Sequence, residues 1–154
     1  MPEPIDIGGL APRVPIPSRG THRFRVRYAE CDPMGVVHHG SYATWLEIGR
    51  TELLRPAGVT YADLEQAGVL LVVTKLALRY RVPARYDDEL EVLTVVTGGG
   101  RARIDHAYEV RRVGASGAAG DLCAEATSTI ACVDDTGRPK PLPEWLTPEA
   151  HTGA

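Results

Sequence analysis

The chain has 154 residues, 44% of them hydrophobic and 24% charged, with a net charge of −3. That suits one water-facing domain with enough apolar residues for a core, and it excludes a global basic field that would draw nucleic acid or an anionic membrane. No apolar run approaches the roughly 20 residues of a membrane span, and the N-terminus lacks a basic region followed by an apolar core. Cys31, Cys123 and Cys132 have no C-x-x-C spacing, so free thiols in a reducing cytoplasm are expected.

In chain order, residues 1–20 are rich in proline and glycine and read as an extended or disordered lead-in. Phe24, Val26 and Tyr28 then alternate with Arg23, Arg25 and Arg27, the period-two pattern of a half-buried strand. Pro33 ends that ladder because it has no N–H, and Gly35 permits a sharp turn. After Gly40 and Ser41 as N-caps, Tyr42, Trp45, Leu46, Gly49 and Leu53 share one helical face, and Pro56 and Gly58 stop the helix. Tyr61 to Ala67 predicts a short helix, with Thr60 as cap and Gly68 as stop.

Val69 to Arg81 is β-rich, and its apolar start predicts a strand buried on both faces. Tyr86 to Asp88 reads as a turn, Leu90 to Val96 as a strand, and Gly98 to Gly100 as a flexible connection. Ile104, His106, Tyr108 and Val110 then alternate with charged neighbours. Gly114 to Gly120 is a hairpin tip, Leu122 to Val133 a last strand, and Asp134 to Gly137 a turn. One long helix and about five hairpin-connected strands imply an α+β unit, an antiparallel sheet curved around the helix. Its domain spans 21–143, with 144–154 as a tail.

The chemistry concentrates between Tyr28 and Arg55. A helix start presents unpaired N–H groups at the positive end of the macrodipole, a place for a developing oxyanion. Asp32 lies just upstream, on a turn able to fold back over that start. A carboxylate beside an oxyanion-stabilising backbone is a minimal arrangement for acyl transfer. A turn aspartate before proline is the plainer alternative. A Cys31 nucleophile is disfavoured, because neighbours in an extended segment point to opposite sides. A zinc site from Cys31, Asp32, His38 and His39 fits no standard spacing.

The run YAECDPMGVVHHGSYATWLEIGRTELLR, together with VPARYDDELEV at 82–92, resembles the two recurring segments of hotdog-fold acyl-CoA thioesterases of the 4-hydroxybenzoyl-CoA thioesterase type. The resemblance spans roughly residues 21–143. It implies a hotdog fold, hydrolysis of acyl-CoA to a carboxylic acid and CoA, and no cofactor or metal. It implies Asp32 as nucleophile or general base, a choice left open, and His39, chiefly through its N–H, as the donor to the thioester carbonyl. Val36 shapes the loop. Val37, Gly40, Tyr42, Thr74, Arg101 and Arg103 are the expected substrate contacts, Thr74 from across a subunit interface and the arginines toward the nucleotide end of CoA. Tyr42, with Trp45 and Leu71, would meet the acyl group. His38 reads as a turn histidine, Glu47 and Arg50 as a surface pair, and 85–88 as a structural turn. A homodimer or homotetramer with active sites at the protomer interface is expected. An acyl-carrier-protein thioesterase and a non-catalytic acyl-CoA-binding module are the alternatives.

Overall fold

The computed structural model describes residues 9–151. Five strands form one sheet: β1 (Arg19–Arg25), β2 (Leu70–Tyr80), β3 (Glu89–Gly100), β4 (Arg103–Val113) and β5 (Ala119–Val133). Their order is β1-β3-β4-β5-β2, and every neighbouring pair is antiparallel. The long helix α1 (Ser41–Leu54) covers one face, and the short α2 (Tyr61–Gln66) follows it. This is the hotdog arrangement that the sequence implies.

Alternation decides which face is covered. Leu90, Val92 and Thr94 of β3, Ile104, His106, Tyr108 and Val110 of β4, and Ala124, Ala126, Ser128 and Ile130 of β5 are all buried. The register places them in rows across one side of the sheet. Against this side α1 lays Tyr42, Trp45, Leu46, Gly49 and Leu53, the expected stripe. Burying a side chain such as Leu46 contributes about 1.5–3 kcal/mol. Gly49 is required by the approach of helix to sheet: a Cβ there would collide with Thr94 Oγ1 and press on Val92. α2 is closed by a reciprocal cap, Asp63 N–H to Thr60 Oγ1 and Thr60 N–H to the Asp63 carboxylate, both 3.1 Å.

Several expectations need correction. Arg50 does not pair with Glu47; it is buried and donates to Tyr108 Oη at 3.2 Å, and that hydroxyl meets Ser128 Oγ at 2.6 Å. Position 50 continues the stripe of positions 46, 49 and 53, so its side chain enters the sheet side. The sheet strand β1 ends at Arg25, and Tyr28 opens a 3-10 turn, Tyr28–Glu30, with its ring 80% exposed. Gly98 to Gly100 is not a loose connection but the end of β3, paired with Asp105, Ile104 and Arg103.

The lead-in is packed where it is described. Ile16 is fully buried, Arg13 N–H donates to Ala57 O at 2.8 Å, and Val96 N–H donates to Ser18 O at 2.7 Å. The rest of the expected lead-in, 1–8, lies outside the described residues. Beyond Val133, Leu142 and Leu146 join a second core cluster with Ile16, Leu54, Leu64 and Ile104, and short 3-10 turns occupy Glu144–Leu146 and Pro148–Ala150. Residues 152–154 of the expected tail lie outside the described residues.

The largest departure is β2. Expected buried on both faces, it exposes Val72, Val73 and Leu76 by 41%, 49% and 40%. β2 pairs only with β5 and forms an edge of the sheet. Val73 and Leu76 lie opposite buried Ile130 and Ser128 and so share the helix side of the sheet, yet they remain uncovered.

Candidate active site

Asp32 opens a tight turn. Its N–H donates to Val36 O at 2.8 Å, its carbonyl accepts from Gly35 N–H at 3.0 Å, and Cys31 bridges Val37 across the turn. Gly35 has φ +81°, where a side chain would be strained. The half-buried carboxylate accepts from Met34 N–H through Oδ1 at 2.9 Å, while Oδ2 has no partner among the described residues. One oxygen thus fixes the side chain in the turn, as a turn aspartate before proline would.

The chain then enters α1 through two histidines. His38 N–H donates to Glu30 O at 2.8 Å, its Nδ1 accepts from Gly40 N–H at 2.9 Å, and its carbonyl accepts from Ser41 N–H at 3.0 Å. It is the turn histidine anticipated. His39 stacks on it at 4.1 Å between ring centroids, and its carbonyl accepts from Tyr80 Oη at 3.0 Å. The His39 N–H has no partner among the described residues and is exposed at the positive end of α1. Gly40, the N-cap, is also exposed and makes no side-chain cap.

The second recurring segment holds this turn in place. Val37 N–H donates to Ala84 O at 2.8 Å, and Arg85 Nη1 reaches Gly35 O at 3.4 Å. Asp88 Oδ2 accepts from Arg85 N–H at 2.9 Å and from Arg112 Nε at 3.1 Å, and Asp87 sits at φ +70°. As expected, residues 85–88 form a structural turn.

The other candidates are dispersed. Val37 and Tyr42 lie in the core with Trp45 and Ala84. Burial, its largest cause, pushes the Tyr42 phenol up to about 12, so it stays protonated near neutral pH. Thr74 sits at an irregularity of β2, its Oγ1 donating to Thr129 O at 3.2 Å. Leu71 packs against the second core cluster. Arg103 approaches Asp105 at 3.6 Å, and Arg101 lines a cavity of about 450 Å³ with Gly98 to Gly100 and Thr147 to Glu149.

Both arginines stand at the far end of β3 from the Asp32 turn. The 12 residues of β3 span roughly 36 Å at about 3.3 Å per residue. Within one chain, the structure therefore brings Asp32, His39 and Gly40 together and leaves Arg101 and Arg103 apart from them. Among the described residues, no group of three or more His, Cys, Asp or Glu is placed to hold a metal.

Two contributors escape a reading of the sequence. Tyr80 reaches the site from the end of β2, without a local signal. Glu30 accepts from Arg27 N–H at 2.7 Å and from Trp45 Nε1 at 2.6 Å. The Arg27-to-Glu30 spacing of a capping box is its only trace in the sequence.

Comparison with known proteins agrees with this fold. The family described as the thioesterase-like superfamily matches residues 26–149. The chain belongs to that superfamily. It is 35% identical over 126 residues to the acyl-CoA thioester hydrolase YbgC of Escherichia coli O6:H1, covering 81% of this chain and 90% of YbgC. A DHNA-CoA thioesterase from Staphylococcus aureus superposes with a TM-score of 0.74 at 32% identity, covering 83% of each chain. The 4-hydroxybenzoyl CoA thioesterase from Pseudomonas sp. strain CBS-3 shares the fold at 20% identity, with a TM-score of 0.70, covering 82% of this chain and 94% of that one. Among the described residues, no helix of this superfamily member is long and apolar enough to cross a membrane.

Proposed function

We propose that this chain is a thioester hydrolase that converts acyl-CoA to a carboxylic acid and CoA. The observation that carries the reading is that, among the described residues, neither Asp32 Oδ2 nor the His39 N–H has a hydrogen-bond partner on the short segment that leads into α1. A thioester carbonyl seated between them meets a donor at its oxygen and a carboxylate near its carbon. Asp32 then either attacks the carbon, forming a mixed anhydride that water opens, or deprotonates a water that attacks directly. Both routes expel CoA thiolate and release the acid.

The same reading supplies the missing walls of the site by assembly. The edge of β2 offers unpaired backbone groups and uncovered apolar side chains to a second copy. Antiparallel pairing of two β2 strands about Lys75 sets Tyr80 of one chain beside Leu70 of the other. It brings the second copy's β3–β4 turn, with its Arg101 and Arg103, to the Asp32 end of the joint sheet. Val73 and Leu76 become covered, and Thr74 lies at the seam.

The test is thiol release from a panel of aliphatic, aromatic and carrier-protein thioesters by the wild type and Asp32→Asn. We expect hydrolysis of CoA esters by the wild type and a loss of at least roughly 100-fold in kcat for the variant, with fold and assembly intact. Full turnover by Asp32→Asn on the best substrate would end the assignment.

A further inference from the structure

The side chain that joins most parts of the site is Glu30. Glu30 is two residues from Asp32 and half-buried. Its carboxylate makes two short bonds in opposite directions: Oε1 to Arg27 N–H at the exit of β1, and Oε2 to Trp45 Nε1 on the buried face of α1. Its carbonyl accepts two more, from His38 N–H at 2.8 Å and Ser41 Oγ at 3.0 Å. One residue thus ties the segment carrying Asp32 to the segment that aims the His39 N–H, and ties both to the helix.

The anchor at the far end is rigid. Trp45 is 1% exposed and packs against Phe24 and Tyr42 at ring-centroid separations of 5.0 and 4.8 Å. Hydrogen bonds to a carboxylate are roughly twice as strong as neutral ones. An indole N–H can only donate, so a buried Trp45 needs such a partner.

We infer that Glu30 is a positioning residue for hydrolysis: it holds the Asp32 carboxylate and the His39 amide at the separation the thioester requires. The inference rests on the Asp32 reading above and names the device that makes it work. Glu30→Gln is the informative change. An amide has one acceptor oxygen, and its NH₂ cannot receive Trp45 Nε1–H or Arg27 N–H, so one of the two ties must open while size is kept. A displacement of about 1 Å at a reacting group costs on the order of 100-fold in rate.

The experiment measures kcat and KM on the best CoA ester for the wild type, Glu30→Gln, Trp45→Phe, Asp32→Asn and the Glu30→Gln/Asp32→Asn double variant. Each is assayed at a temperature where circular dichroism shows it folded. We expect Glu30→Gln to lower kcat by roughly 10- to 100-fold with KM changed less than about three-fold. Trp45→Phe, which removes only one tie, should shift kcat in the same direction by less, and it carries the test alone if Glu30→Gln does not fold. The double variant should lose clearly less than the product of the two single losses, because with the Asp32 carboxylate gone only the His39 amide is left to position. Wild-type kcat in Glu30→Gln, or in Trp45→Phe where that variant stands alone, overturns the inference if Asp32→Asn is inactive. A multiplied loss in the double variant overturns it as well. Activity retained by Asp32→Asn is a different failure, that of the hydrolysis reading itself.

Discussion

The two edges of the sheet are built on opposite plans. β1 is short, and two of its outward side chains are arginines held by acids: Arg23 meets Glu91 at 2.7 Å, and Arg25 lies 3.5 Å from Glu89. Arg23 also donates to Gly117 O at 2.9 Å, drawing the β4–β5 hairpin tip toward that edge. Charges along an edge discourage a further strand. β2 is 11 residues long, with Val72, Val73 and Leu76 uncovered and Lys75 among them. One edge refuses a neighbour and the other offers an apolar, unpaired strand. On the proposed reading, assembly and chemistry would meet at one edge, since Tyr80 at the end of β2 also donates to the His39 carbonyl.

The strongest way to break this contrast is a charge on the open edge. Leu76→Arg should convert the assembly to monomers in sedimentation velocity and lower kcat/KM by on the order of 1,000-fold, about 4 kcal/mol. Thr21→Arg on β1 should change neither. Equal effects at the two edges would erase the distinction.

A second measurement separates the edges from the fold between them. His106 lies on the buried side of β4, and burial first, then Arg50 and His151, lower its pKa from 6.5 to about 3. The neutral ring is the folded form, so the folded pKa lies below the unfolded one. Stability from this group is complete above about pH 6.5 and is lost as pH falls from there toward 3. By pH 4 the loss should be roughly 3 kcal/mol. Denaturant titrations of the monomeric Leu76→Arg chain between pH 7 and 4 should show it, and His106→Gln should flatten the slope.

A smaller effect tests the hydroxyl chain beneath α1. Tyr108→Phe leaves Arg50 Nη1 and Ser128 Oγ without the Tyr108 oxygen, and should cost about 1–3 kcal/mol by denaturant unfolding. The smallest concerns the far turn. Arg101→Ala should raise KM for CoA esters by roughly three- to ten-fold and leave KM for short pantetheine esters unchanged. Equal changes for both would remove the nucleotide contact from the second copy's β3–β4 turn.

Much of this design was legible in the sequence, and the rest failed for definite reasons. Alternation at Ile104, His106, Tyr108 and Val110 names the buried side of β4, and Thr60 with Gly68 announces α2, because both signals are local. An apolar run such as Val69 to Val73 reads the same whether its own chain or another copy covers it, so the exposure of β2 stayed hidden. Ile16 is one apolar residue among prolines, and no period marks it as core. Arg50 is three residues from Glu47, a surface-pair spacing that masks its place in the buried stripe. Glu30 depends on Trp45, 15 residues on, which only the folded turn reveals. The separation of Arg101 from Asp32 comes from the full length of β3, which takes in the glycines read as a loop.

The most direct test of the account is a crystal structure of the Asp32→Asn variant with an intact acyl-CoA. We expect the thioester oxygen about 3 Å from His39 N, at a seam between two β2 strands, and the substituted side chain at position 32 within about 3.5 Å of the carbonyl carbon. A thioester bound away from this turn, with the side chain at position 32 facing open solvent, would contradict the account.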